Sequence, residues 1–226
     1  MLQAVIFDFD GVITDTEVLH LQTFNKVLSQ YGINITAADY YRHYLGLSDF
    51  DLFRLFIDEG KLDISSEQID TLIKQKNQFF EELIKDDGKI IEGVRDLVQL
   101  LNQNNIPMAI CSGALLAEIN LILENAGLQQ FFEVIVSAEH VTKGKPDPEG
   151  FLLALKRLNE KNINPVTADQ CVVIEDSHWG IEAAKSAEMH TIAITNSYAA
   201  EQLSMADKVI AHLNQLSLKD LQNLCS

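Results

Sequence analysis

Four stretches of this sequence place oxygen donors and cations beside short apolar runs. They are Asp8-Phe9-Asp10-Gly11-Val12, Ser112-Gly113, Lys143-Gly144-Lys145-Pro146-Asp147-Pro148 and Glu175-Asp176-Ser177. Gathered on one rim, such groups have a definite use. A carboxylate is a poor nucleophile towards a phosphate dianion, because the two repel. A bound Mg²⁺ bridges them, neutralises charge and holds the phosphorus in line for attack. Mg²⁺ takes oxygen ligands and suits a site with one or two carboxylates, substrate oxygens and water. A lysine offsets the remaining negative charge, and a hydroxyl with backbone N–H groups holds phosphate oxygens. Covalent catalysis by a carboxylate then divides one hard step into two easier ones. Singly, each stretch has an ordinary explanation. Asp-Gly is a common turn, a lone Asp-x-Asp is more often a solvated loop, and Glu-Asp at a strand end can cap the next helix. Their occurrence together, in order and each at a strand end, favours the chemical reading.

The elements that would gather them are legible in the apolar pattern. Strands are expected at Ala4–Phe7, Met108–Cys111, Val134–Val136, Cys171–Ile174, Thr191–Ile194 and Lys208–Ile210. Helical patterns are expected between them, at about 94–103, 114–126, 148–160, 178–187 and 199–204. Strands this apolar suit a parallel sheet covered on both faces, and in such sheets ligands sit beyond the carboxyl ends of the strands. The expected fold is therefore α/β, a Rossmann-like parallel sheet flanked by helices. Residues 15–87 break the rhythm. They hold no convincing strand, only helical patterns at Glu17–Tyr31, Ser48–Glu59 and Ser66–Ile84. They are expected to form an inserted all-helical cap domain, with 1–14 and 88–226 forming the catalytic core.

Composition narrows the partners. Of the 226 residues, 47% are hydrophobic and 22% charged, ordinary for a soluble protein, and the formal net charge is −16. That field repels nucleic acid and anionic membrane surfaces. No apolar run approaches the roughly 18 residues of a membrane span. The start of the chain carries no basic residue and reaches Asp8 early, which argues against a signal peptide. Cys111, Cys171 and Cys225 form neither a CxxC pair nor a ligand cluster, so a reducing cytoplasm is the expected setting.

The four stretches together resemble the haloacid dehalogenase-like superfamily, in particular the branch of β-phosphoglucomutase and phosphoglycolate phosphatase. The resemblance runs through Asp8–Glu17, Ser112-Gly113, Lys145-Pro146 and Glu175-Asp176-Ser177, with Gly180-Ile181 and Ala183-Ala184 beyond. It implies that Asp8 is the nucleophile and a metal ligand. Asp10 would protonate the leaving oxygen, later activate water, and offer its backbone carbonyl to the metal. Ser112 and Gly113 would hold the phosphoryl group, and Lys145 would pair with nucleophile and phosphate. Asp176 would complete the Mg²⁺ site, with Glu175 contributing directly or through water. The residues support the casting of Asp10, since a side chain two positions on can reach the opposite side of the phosphorus. Dehalogenases need no acid at that position, and transport ATPases carry a block beginning Asp-Lys-Thr. Asp-x-Asp thus favours phosphatase or phosphomutase chemistry.

The resemblance to the mutase extends to Thr16, His20, Lys76 and Asn77, and Thr16 and His20 are candidate substrate contacts. At two places the chain departs from it. The mutase cap grips a second phosphate with an arginine in a Gly-x-Ser-Arg turn, whereas this chain reads Gly46-Leu47-Ser48-Asp49. The mutase lysine after the loop serine is replaced in Ser112-Gly113-Ala114-Leu115. Residues 15–87 hold 7 Lys+Arg and 14 Asp+Glu, a formal −7. Arg42, Arg54 and Lys76 are their candidate recognition cations. An aspartate where a phosphate was gripped repels one. The expectation is a monomeric or weakly homo-oligomeric phosphatase of a small phosphorylated metabolite, a sugar phosphate or a phosphoglycolate-like molecule. The alternatives are a β-phosphoglucomutase-type enzyme and a non-catalytic phosphometabolite-binding protein.

Overall fold

The computed structural model describes residues 1–45, 47–87, 90–161 and 165–226. Gly46 of the Gly-Leu-Ser-Asp turn, and Gly88, where the second core segment is expected to begin, lie outside the described residues. The chain divides into two compact units, Thr16–Gly88 and Met1–Asp15 with Lys89–Ser226.

The first unit is helical, with α1 (Glu17–Leu28), α2 (Ala37–Asp39), α3 (Asp49–Asp58) and α4 (Ile69–Asp87). Its starts and stops follow local chemistry. Thr36 and Ser48 accept hydrogen bonds from Asp39 N and Asp51 N, both at 3.1 Å, and so cap α2 and α3. The α1 pattern ends at Leu28 and tightens into a 3₁₀ turn, which Gly32 closes at φ 74°. Phe24, Leu28, Leu52, Phe53, Phe56 and Leu72 form the core of this unit.

In the second unit β1 (Ala4–Phe7), β2 (Met108–Cys111), β3 (Val134–Val136), β4 (Cys171–Glu175), β5 (His190–Ile194) and β6 (Lys208–Ile210) form one parallel sheet, ordered β3-β2-β1-β4-β5-β6. All six lie where the apolar runs place them. Helices α5 (Val94–Gln103), α6 (Leu116–Ala126), α7 (Glu149–Lys161), α8 (His178–Ser186) and α9 (Leu218–Leu224) flank it. The pattern at 199–204 is a 3₁₀ turn, Ala200–Leu203, and α9 has no counterpart in the periodicity. The strand order carries the functional consequence. From β1 the chain moves outward through β2 and β3, then returns to the other side of β1 as β4. That reversal opens the crevice where parallel sheets bind ligands. Among the described residues no helix is long and apolar enough to cross a membrane.

Candidate active site

Register places the first and last acidic stretches side by side. Phe7 pairs with Ile174, and Asp8 N donates to the Ile174 carbonyl at 2.9 Å. Asp8 therefore leaves β1 next to Glu175 and Asp176 leaving β4. Oxygens of these three buried carboxylates lie within 4.8 Å of one another. Lys145 arrives from the loop between β3 and α7, preceding a cis peptide to Pro146. Its Nζ donates to Asp8 Oδ1 at 2.6 Å and to Glu175 Oε1 at 2.5 Å. One ammonium thus faces a cluster of three carboxylates.

Glu175 is the most fully engaged of them. Its Oε2 accepts from Asp176 N, Ser177 N and Ser177 Oγ, each at 2.9 Å. Ser177 in turn caps α8 by accepting from Gly180 N at 3.0 Å. A Cβ on Gly180 would stand 1.7 Å from Glu175 Oε1, so only glycine admits the carboxylate here. Gly11 does the same for Asp176: at φ +78° it turns tightly after Asp10, and a Cβ there would meet Asp176 Oδ2 at 1.8 Å.

The electrostatics follow from crowding without water. Burial first, then Glu175 and Asp10, push the Asp8 carboxyl up to about 7, against the pull of Lys145. Burial, then Glu175 and Asp8, hold Asp176 well above the ordinary carboxylate range. Burial works against the Lys145 charge, but Asp8 and Glu175 outweigh it and keep the ammonium protonated.

The other expected residues fall as follows. Asp10 sits half-buried two positions after Asp8, in the turn closed by Gly11 N donating to the Thr14 carbonyl at 2.7 Å. Ser112 is buried at the end of β2, the neighbour of β1, and its Oγ accepts from Ala114 N at 2.9 Å. A Cβ on Gly113 would meet nothing within 4 Å, so space alone does not require glycine there. Lys143 is exposed and pairs with Asp147 at 3.4 Å. Thr16 is buried at the entry to α1, in the helical unit, and its carbonyl accepts from His20 N at 2.8 Å. His20 stacks on Phe80, 4.3 Å between centroids, and its Nδ1 lies 2.8 Å from Lys76 Nζ. Lys76 also donates to Asp49 Oδ1 at 2.6 Å and lies over the Phe24 and Phe80 rings. Arg54 is bonded to Asp58 at 3.1 Å.

Two residues bound to the site were not anticipated. Ser197 Oγ donates to Asp176 Oδ2, and Asn196 Nδ2 donates to the Gly11 carbonyl at 2.7 Å. Both follow β5, and the rule that functional groups sit at strand ends would have reached them.

A central parallel strand ending in Asp-x-Asp, with a lysine and a Glu-Asp pair brought beside it, defines a hydrolase core of a recognisable class. The haloacid dehalogenase-like hydrolase family matches residues 5–194, and the chain belongs to that family. It is 33% identical over 192 residues, 84% of each chain, to a phosphorylated carbohydrates phosphatase of Thermotoga maritima. It is 30% identical over 192 residues, 84% of this chain and 95% of the relative, to a fructose-1-phosphate phosphatase of Escherichia coli. Among solved structures, β-phosphoglucomutase from Clostridium difficile superposes with a TM-score of 0.82 at 29% identity, over 100% of this chain and 97% of that one.

Proposed function

We propose that this enzyme is a Mg²⁺-dependent phosphatase of small phosphate monoesters, sugar phosphates above all, acting through a phosphoryl group carried on Asp8. The observation that carries this reading is the buried charge surplus: Asp8, Glu175 and Asp176 gathered around the single ammonium of Lys145. The donors are all hard oxygens, which fits Mg²⁺. Asp8, Asp176 and the Asp10 carbonyl are the groups that would hold it. Glu175, whose oxygens already accept from Lys145, Ser177 and Asp176 N, acts by charge and by ordering its neighbours. When bound, the ion would neutralise the repulsion between carboxylate and phosphate.

The chain's own groups then divide the work. An Asp8 oxygen attacks phosphorus as the ester bond breaks, and Asp10 delivers a proton to the leaving oxygen. Water attacks the acyl phosphate, Asp10 takes its proton, and the Asp8 carboxylate is released with phosphate. Lys145 orients Asp8 and offsets charge, and Ser112 binds a phosphoryl oxygen. The helical unit would supply substrate selectivity, with Thr16 and His20 as its candidate contacts. The described cysteines are free and buried, in keeping with a reducing cytoplasm.

Hydrolysis is favoured over the mutase reaction by Asp49. Where the mutase needs a cation for a second phosphate, this carboxylate is bonded to Lys76 and occupies the charge of a neighbouring cation as well. A panel of phosphorylated metabolites assayed with Mg²⁺ tests the proposal. Metal-dependent release of phosphate from sugar monophosphates is expected. Isomerisation of a hexose 1-phosphate without phosphate release would point to the mutase.

A further inference from the structure

We infer that Asn196 and Ser197 form a clamp that positions the metal-binding face of the core site, an inference that rests on the Mg²⁺ reading above. These consecutive residues follow β5, next to β4 in the sheet. They hold two different segments of the site. Ser197 Oγ donates to Asp176 Oδ2. The neighbouring Asn196 amide donates to the carbonyl of Gly11, the residue after Asp10, at 2.7 Å.

The geometry gives the clamp its purpose. A carboxylate turns freely about its Cβ–Cγ bond unless both sides are fixed. Asp176 Oδ2 has the Gly11 Cα packed against it, so closely that a Cβ there would stand 1.8 Å away, and the Ser197 hydroxyl as its donor. The same would-be Cβ is 3.1 Å from Oδ1, so the two oxygens are inequivalent: Oδ2 is the one wedged against Gly11. Ser197 thereby selects which Asp176 oxygen a metal receives. Asn196 fixes the other wall, because the Gly11 carbonyl belongs to the same tight turn as Asp10, closed by Gly11 N to Thr14 O at 2.7 Å. Hydrogen bonds of this kind orient ligands, and losing one commonly lowers metal affinity by roughly 10- to 100-fold. Both residues are positioning residues.

The test uses Mn²⁺ as a probe, its binding to the whole protein followed by calorimetry and electron paramagnetic resonance, with unfolding in EDTA measured alongside. Ser197→Ala is expected to weaken Mn²⁺ binding by about 10-fold or more, and Ser197→Thr, which keeps the hydroxyl, to stay near the wild type. Asn196→Ala is expected to lower turnover at saturating metal while shifting Mn²⁺ affinity less than Ser197→Ala does. If Ser197→Ala does not fold, Ser197→Thr and Asn196→Ala decide, and tenfold weaker Mn²⁺ binding in the threonine variant, on the order of a lost orienting bond, overturns the clamp. So does wild-type Mn²⁺ affinity in a folded Ser197→Ala protein, even if its unfolding midpoint falls. A wild-type protein that binds no Mn²⁺ overturns the metal reading and the clamp with it, whereas tight wild-type binding unchanged by Ser197→Ala overturns the clamp alone.

Discussion

Each unit of this enzyme holds a lysine ammonium against carboxylates, Lys76 buried and Lys145 half-buried, and the two lysines live in opposite electrostatic circumstances. In the helical unit Lys76 is 2% exposed and meets one carboxylate, Asp49, one ring nitrogen, that of His20, and the faces of Phe24 and Phe80. The Lys76 ammonium is matched one to one by the Asp49 carboxylate. In the core Lys145 is shared between Asp8 and Glu175, with Asp176 beside them. There the carboxylates are in surplus, and both Asp8 and Asp176 are pushed towards the protonated form. A buried ion pair with matched charges is complete in itself, whereas a buried surplus calls for a further cation. The contrast predicts that changes in the core act chiefly on turnover and metal binding, and changes around Lys76 chiefly on stability.

The largest expected effect is at the nucleophile. Asp8→Asn should lower phosphate release by at least about 10³-fold, since removing a covalent nucleophile leaves only binding and positioning; steady-state kinetics on a sugar phosphate measures it. Next comes the metal site. Asp176→Asn should abolish the Mg²⁺-induced rise in unfolding temperature that linkage predicts for the wild type, and differential scanning fluorimetry with and without EDTA reads this directly. An Asp176→Asn protein stabilised by Mg²⁺ as much as the wild type would break the proposed ligand set.

In the helical unit the sign of the outcome changes. Asp49→Ala leaves the Lys76 ammonium buried without its carboxylate and should destabilise by about 2 kcal/mol, below the fully buried case because Asp49 keeps partial contact with water. The double change Asp49→Leu with Lys76→Met should recover most of that loss in urea unfolding, as a balanced pair allows. A larger effect on turnover than on stability would dissolve the contrast between the units.

A further effect is in pH. The Asp8 carboxyl has its ordinary value near 4 in the unfolded chain and about 7 in the fold. Between those limits the unfolded chain gives up the Asp8 proton while the folded one keeps it. Its contribution to stability is therefore complete below about pH 4 and lost as pH rises through about 7. An asparagine in its place cannot titrate and undergoes no such loss. Without metal, the unfolding temperature of Asp8→Asn relative to wild type should rise by roughly ten degrees from about pH 4 to about pH 7 and then level off. Thermal scans across that range in EDTA measure the difference.

Much of this architecture is written in local pattern. The six strands are short apolar runs with nothing else they could be in an α/β chain, and the Asp8, Glu175 and Asp176 stretches are adjacent because β1 and β4 are neighbours. Other parts depend on contacts across long separations. Asn and Ser are ordinary turn residues, and nothing near Asn196-Ser197 in sequence reveals that their partners are Gly11 and Asp176. The helix pattern from 114 starts only at Leu116, whose N–H is taken by Glu139 Oε2, in the loop after β3. The charge of Lys76 was visible as a recognition candidate, but its Asp49 partner lies 27 residues away in sequence. Spacing finds groups that share an element; it does not find groups that the fold brings together.

The central claim is that Asp8 carries the phosphoryl group. Rapid mixing with a turned-over sugar phosphate and Mg²⁺, acid quench, borohydride reduction and peptide mass spectrometry tests it at the residue itself. The expected product is homoserine at position 8, formed from the trapped acyl phosphate and absent when substrate is withheld. An unmodified Asp8 under conditions where phosphorylated protein is recovered, with the phosphoryl group on another residue, would contradict it.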